Sequence, residues 1–464
     1  MTIAELTSAG MAKAEVDVST PAVLLKFDPN VMHHGSLGAI RTLGRLGVPV
    51  YGIQEGTWAP AAQSRYLHGR IIWWPSPADV RRVSDGLRLI ADRLGRPAVL
   101  IPTDDVGAVF LAEHGDGLRG QFLFSAPPPG LPRQLADKYT MHLICRELGI
   151  PTPHSALPGS MADARDFAAF AGFPLIAKVA SPQHGGPKLR STSIIASQDE
   201  LAASFATSRR CGAGLMLQEY VPAEPGHDWF FHGYCGANSV CEPAFTGVKD
   251  RSYPAHAGLT SLGHWASNDA LRDQVTSMLA RLGYRGIMDL DLRQDLRDGQ
   301  YKLLDFNPRL GAQFRLFRDT AGVDVVRAAY CDLTGQLGCL GSPVIGRKFL
   351  VESYDPISSA GYWRRGELGL RSWLASLRGV DETAWFAADD LRPFGLMCLR
   401  MAWRAARTPF AAPDGKPAGR PTHRPSAPPR IRRGRAAPGA RQLAVARAAA
   451  RPGWRRADRE ENWS

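Results

Sequence analysis

Two stretches near position 300 carry the residue types that could do chemistry. Asp289, Asp291 and Arg293 alternate with Met288, Leu290 and Leu292, and beyond Asp298-Gly299 the chain reads Leu303-Leu304-Asp305-Phe306-Asn307-Pro308-Arg309-Leu310-Gly311. Residues two apart in a strand share a face, so Asp305 and Asn307 point one way while Leu304 and Phe306 face a core. Asp-Gly is a strong hairpin signal, and the hairpin gathers carboxylates and an amide oxygen on one sheet face. An oxygen-only set suits Mg²⁺, which takes a few carboxylates and completes its octahedron with phosphate oxygens and water; Mn²⁺ is an alternative occupant. Pro308 ends the strand, Arg309 offers a fixed fork for phosphate or carboxylate, and Gly311 permits close backbone approach. A strict two-residue turn pairs position 291 with 306, so facing Asp291 to Asp305 needs a longer loop or a one-residue bulge. The bland alternative is a solvated polar face on a hairpin.

Other elements must position this hairpin. Ala22-Val23-Leu24-Leu25 is a short apolar run, followed by a Gly35-x-x-Gly38 turn, a helical pattern in Ile40, Leu43 and Leu46 closed by Gly47, and a second strand at Val48–Ile53. This is a βαβ unit. With the apolar strand Val99-Leu100-Ile101, which ends at Thr103-Asp104-Asp105, it suggests a small open α/β domain over residues 21–130. The G-x-G-x-x-G fingerprint is absent, so a NAD or FAD site is not expected there. Asp137–Leu148 is an amphipathic helix, with Met141, Ile144, Cys145 and Leu148 on one face and Gly149 and Pro151 to stop it. A helix around 162–171, strands at 173–179, 215–221, 287–293 and 301–307, and long intervening helices give an α/β and α+β body over 131–340. Residues 341–405 read as a less regular extension with one helix near 370–377.

Bulk properties narrow the function classes. The hydrophobic fraction of 44% and charged fraction of 22% are those of a globular protein. No apolar run is long enough to span a bilayer, and the N-terminal stretch has no signal-like apolar segment, which points to the cytoplasm. The seven cysteines lack paired spacing, so neither a zinc site nor a disulfide framework is expected. The net charge of +12 is unevenly spread: from Ala406 to Ser464 there are 14 Lys/Arg against 4 Asp/Glu, +10, which leaves +2 for everything before. Residues 1–20 and 406–464 lack apolar periodicity and read as disordered.

Asp291, followed after the turn by Leu304-Asp305-Phe306-Asn307-Pro308-Arg309, resembles the metal-binding end of the ATP-grasp superfamily. The continuation Gly311-Ala312-Gln313-Phe314-Arg315 is similar to its carboxylate–amine ligase branch, related to D-aspartate ligases. The resemblance covers residues 20–335 and implies a small pre-ATP-grasp domain before a two-lobed ATP-grasp body. It implies ATP and Mg²⁺ as cofactors, with Asp291, Asp305 and Asn307 on the metal; the family more often has Glu where Asp305 stands. Lys138 and Lys178 fall where the family places lysines on the ATP phosphates. Lys178, flanked by apolar residues in a strand, needs an anionic partner if buried and is otherwise an edge lysine; Lys138 is otherwise a surface lysine. Gln218-Glu219-Tyr220-Val221 resembles the hinge whose backbone reads the adenine edge, with Asp228 on the ribose. Ser181–Lys188 fits the glycine-rich loop over the phosphates, Lys188 supplying a basic side chain. Lys249 and Arg251 are candidate ligands for the γ-phosphate or the substrate carboxylate, or members of a solvated loop.

The chemistry so implied joins a small-molecule carboxylate to an amine. The carboxylate attacks the γ-phosphate to give an acyl phosphate and ADP, and the amine displaces phosphate. Positioning and charge neutralisation by the metal, the lysines and Arg309 carry such a reaction. Two alternatives stand beside it: a non-catalytic ATP-binding protein on the same scaffold, and salt-sensitive binding of nucleic acid or an anionic surface through the basic tail.

Overall fold

The β1 run AVLL has no polar position because it sits in the middle of a parallel sheet covered on both faces. The computed structural model describes residues 16–180, 192–222, 224–256, 258–336, 340–407 and 430–433. Its first layer comprises β1 (Ala22–Leu25), α1 (His34–Leu46), β2 (Val50–Gln54), β3 (Leu67–Ile72), α2 (Val80–Leu94), β4 (Ala98–Pro102), α3 (Asp105–His114) and β5 (Phe122–Leu123). The strands lie in the order β3-β2-β1-β4-β5, all parallel. Gly47, at φ 99°, closes α1 in the left-handed conformation that glycine accepts at no steric cost. At the C-terminal ends of the strands, where open α/β sheets bind ligands, Asp104 caps α3 through Gly107 N–H (2.7 Å) and also accepts from Asp28 N–H (2.7 Å). That one carboxylate ties the loop after β1 to the loop after β4 and fixes Asp105 beside both.

Two further lobes follow. The first holds α4 (Leu131–Ala136), α5 (Lys138–Glu147), β6 (Ser155–Ala156), α6 (Met161–Ala171), β7 (Leu175–Ala180), β8 (Thr192–Ile195), α7 (Gln198–Arg210) and β9 (Gly214–Glu219). Its antiparallel sheet runs β6-β9-β7-β8, with Leu175, Ala177 and Leu217 buried against Ala164 and Ala168 of α6 and Leu201 of α7. The second is built from β10 (Asp228–Cys235), β11 (Cys241–Tyr253), β12 (Leu259–Trp265), α8 (Asp269–Arg281), β13 (Gly286–Gln294), β14 (Tyr301–Asn307) and α9 (Val325–Leu333). It continues into β15 (Lys348–Leu350), α10 (Asp355–Arg364), α11 (Leu370–Ser376), β16 (Val380–Thr383) and α12 (Leu391–Arg407). The large sheet runs β14-β13-β10-β11-β12-β15-β16.

Three sequence readings change here. The hairpin has both a six-residue loop, 295–300, and a bulge: Leu292 pairs with Leu303 but Asp291 with Asp305, so Leu304 is the extra residue. Leu303, not Leu304, therefore joins Phe306, Met288, Leu290 and Leu292 in the core. Residues 341–405 are more regular than expected, because β15 pairs with β12 and the extension completes the large sheet. Within the tail, β17 (Arg430–Arg433) pairs antiparallel with β3, so disorder does not hold for these four residues. The extension is pinned to the first domain: the fully buried Arg41 donates to Asp390 Oδ2 (3.0 Å) and Trp385 O (2.7 Å), and Arg45 pairs with Asp389 (2.8 Å). Among the described residues no helix is long and apolar enough to cross a membrane, and the six described cysteines are free.

Candidate active site

The face of the β13/β14 hairpin opposite the core gathers the site. Asp291 lies directly across from Asp305, and Asp289 across from Asn307. Strand β10 runs on the other side of β13, placing Phe230 beside Asp291 and His232 beside Asp289. The bulge is what makes two carboxylates face each other: without it Asp305 would meet a core-facing residue of β13.

Each carboxylate has a cation. Lys138, at the start of α5, donates to Asp305 Oδ1 at 2.8 Å, and Lys249 from β11 meets Asp291 Oδ1 at 2.7 Å. Lys178 reaches across from β7 in the other lobe to the Leu304 carbonyl at 3.4 Å, the group exposed by the bulge. Arg309 meets Asp289 Oδ2 at 2.9 Å and, through Nε, Asp105 Oδ1 at 3.4 Å. Four carboxylates and four cations thus share one cleft.

The electrostatics follow from this packing. Burial alone would raise the Asp305 carboxyl, but Lys138 and then Lys178 outweigh it and hold Asp305 below its ordinary value. Asp291 goes the other way: burial raises it, Lys249 opposes, and Asp289 and Asp305 add repulsion. Lys138 and Lys249 are raised, since Asp305 and Asp291 respectively outweigh the cost of burial. Lys178, 8% exposed, is lowered to about 8, by burial first and by Lys138 second. Of the lysines it is the one short of negative charge, and a polyphosphate is the kind of ligand that would supply it.

The donor set fits Mg²⁺. Among the described residues no three His, Cys, Asp or Glu side chains converge to hold a metal by themselves. Two opposed aspartates with Asn307 on the same face offer oxygen donors of the kind Mg²⁺ takes, in a number that phosphate and water would have to complete.

The other sequence-predicted residues divide. Glu219, at the end of β9, accepts from Arg297 in the hairpin loop and from His154 N–H (3.2 Å), and its own N–H donates to His154 O (2.8 Å). Gln218 turns its buried side chain to Ser155 (3.0 Å). Tyr220 is half-buried just past the strand, and Val221 is buried with its carbonyl accepting from Arg293 (2.8 Å). Asp228 is gripped by both arms of the same Arg293. Arginines 293 and 297 therefore lock the Gln218–Val221 segment to the β13/β14 hairpin. Lys188 lies outside the described residues. Arg251 is not brought to the carboxylates: a bulge between Lys249 and Arg251 turns it away, and it binds Asp355 through Nε (2.8 Å) and Nη2 (3.1 Å), and Ser376 (2.8 Å). Its donors are used in a buried structural pair, which corrects the catalytic expectation.

Sequence reasoning missed Asp105, His232 and the role of Asp289. His232 is fully buried with no hydrogen bond at either ring nitrogen, its Nε2 lying 3.3 Å from Asp289 Oδ1; burial lowers it to about 4, so the ring is neutral. Gly311 is packed on that ring, where a Cβ would stand 2.0 Å from His232 Cε1 and 2.8 Å from Asp289 Cβ. The close approach expected of Gly311 is thus to its own protein. Asp105 carried one available signal, its place at the C-terminal end of a parallel strand.

A parallel α/β domain followed by two lobes that meet over opposed carboxylates is the arrangement that the sequence resemblance implied. Solved structures share this fold. N5-carboxyaminoimidazole synthetase from Staphylococcus aureus superposes with a TM-score of 0.53 at 11% identity, covering 72% of this chain and 82% of that one. The biotin carboxylase domain of 2-oxoglutarate carboxylase from Hydrogenobacter thermophilus, solved with MgADP, ADP and bicarbonate, gives 0.52 at 15% identity, covering 71% and 72%. Among curated proteins the chain is similar to D-aspartate ligase of Enterococcus faecium (strain Aus0004), 22% identical over 248 residues, which take in 48% of this chain and 57% of the ligase. No family model matches.

Proposed function

We propose that this chain is an ATP-dependent ligase that joins a carboxylate to an amine through an acyl phosphate, with release of ADP and phosphate. The observation that carries the reading is the directly opposed Asp291–Asp305 pair, with Lys138, Lys178 and Lys249 converging on it from three separate elements. Lys138 and Lys249, held on carboxylates, can exchange those partners for phosphate oxygens. Asp291, Asp305 and Asn307 would hold Mg²⁺, which supplies neutralisation of the β- and γ-phosphate charge. Lys138 and Lys178 then bind the phosphates, and Lys249 stands at the side where the carboxylate approaches. Arg309, braced by Asp105 and Asp289, orients the acyl group. The Gln218–Val221 segment and Asp228 border the nucleoside. The similarity to D-aspartate ligase supports an amino acid as one of the two substrates.

The test is ADP release from purified protein with ATP, Mg²⁺ and pooled carboxylates and amines, D-aspartate included. ADP that appears only when both pools are present supports the ligase. ATP binding without ADP release from any pool would move the protein to the non-catalytic alternative.

A further inference from the structure

The last described helix has an unusual surface. Helix α12 contains four arginines and no acidic residue. Its inner side, Met397 with Phe394 and Met401, packs on the main core. On an ordinary surface helix the opposite side is polar. Here Leu399 (65% exposed) and Trp403 (58%) stand one turn apart on the outward face, with Leu391 (54%) a further two turns back. Arg400 donates to the Trp58 carbonyl (2.8 Å), which brings Trp58, 71% exposed, alongside. Asp389 and Asp390, immediately before the helix, are committed to Arg45 and Arg41, which anchors the start of the helix to the first domain.

We propose that the outward face of α12, with Trp58, docks the protein on an anionic lipid bilayer. The charge decides between occupants. A second copy of the same face would oppose arginines to arginines, and the phosphates of a nucleic acid would leave Leu391 and Leu399 in water. A bilayer with anionic headgroups takes the arginines at its surface, the aliphatic side chains below, and indole rings at the boundary. One amphipathic helix gives weak, reversible attachment; the chain beyond Arg407, with 13 Lys/Arg against 4 Asp/Glu (+9), adds the second signal that stable attachment needs. This surface is independent of the nucleotide cleft, so its test does not depend on ligase activity.

The experiment is co-sedimentation of the full-length protein with phosphatidylcholine vesicles and with vesicles in which phosphatidylglycerol replaces part of the phosphatidylcholine. The expected result is binding to the anionic vesicles only, weakened about tenfold or more in L399E/W403E with an unchanged melting temperature. L399A/W403A serves if the glutamates disturb folding, with a smaller loss in the same direction. Absence of sedimentation overturns the proposal, as does binding that neither variant weakens, which would assign it to tail charge alone. A concentration-dependent dimer, or RNA binding, that the variants abolish while vesicles stay unbound would equally replace it.

Discussion

Replacing Arg251 separates a structural from a catalytic reading of β11. The guanidinium makes two bonds to Asp355, 2.8 and 3.1 Å, and a third to Ser376 at 2.8 Å, with Arg251 6% and Asp355 1% exposed. In Arg251→Met, Asp355 keeps Trp373 Nε1 (2.8 Å) and Ser261 (3.3 Å) but becomes a buried charge without a counter-ion. Breaking one side of such a pair costs about 3–5 kcal/mol. For roughly 400 residues unfolding together at about 2.1 cal/mol/K each, that lowers Tm by about 4–6 °C. The double variant R251M/D355L removes both charges and should recover most of the loss, because a buried pair exchanged for apolar groups is often near neutral. The assays are a calorimetric melt and ADP formation at a temperature well below both transitions. The reasoning is refuted if R251M melts like wild type while ADP formation is lost, since Arg251 would then act on substrate rather than on Asp355.

Lys178 gives a pH signature. Its folded value is near 8 against an ordinary 10.5, so between those values the unfolded chain holds the extra proton and stability rises with pH; below 8 the buried charge is a standing cost. Lys178→Met should accordingly stabilise the nucleotide-free protein at neutral pH by up to about 3 kcal/mol, read from a denaturant melt, while weakening ATP binding. Wild-type ATP affinity should fall above pH 8 by up to about tenfold per unit, and a flat profile there would remove Lys178 from the phosphates. Gly311→Ala forces a Cβ into His232 and Asp289, so a loss of about 1–3 kcal/mol with slower ADP formation is expected; an unperturbed melt would show that the ring and Asp289 can give way.

What the sequence revealed was local. Period-two alternation assigned the faces of β13, and the surplus residue needed between Asp291 and Asp305 was predictable from counting, though not its place at Leu304. The failures are non-local. Whether Arg251 faces a phosphate or Asp355 depends on a bulge in β11 and on a helix 100 residues later, neither written in the residues around it. Asp105 reaches Asp289, through Arg309, only because the first domain packs against the large sheet, and His232 stands beside Asp289 because β10 pairs with β13. The extension beyond 341 looked irregular because its strands are short and find their partners in a sheet formed earlier in the chain.

The most direct test of the central claim is calorimetric titration of ATP into the wild-type protein and Asp305→Asn, each with and without Mg²⁺. The account predicts tight binding for wild type with Mg²⁺, and a large loss both on omitting the metal and in the variant, which still melts cooperatively. Binding that is indifferent to Mg²⁺ and equal in Asp305→Asn would contradict the assignment of the β13/β14 carboxylates to a metal–nucleotide site.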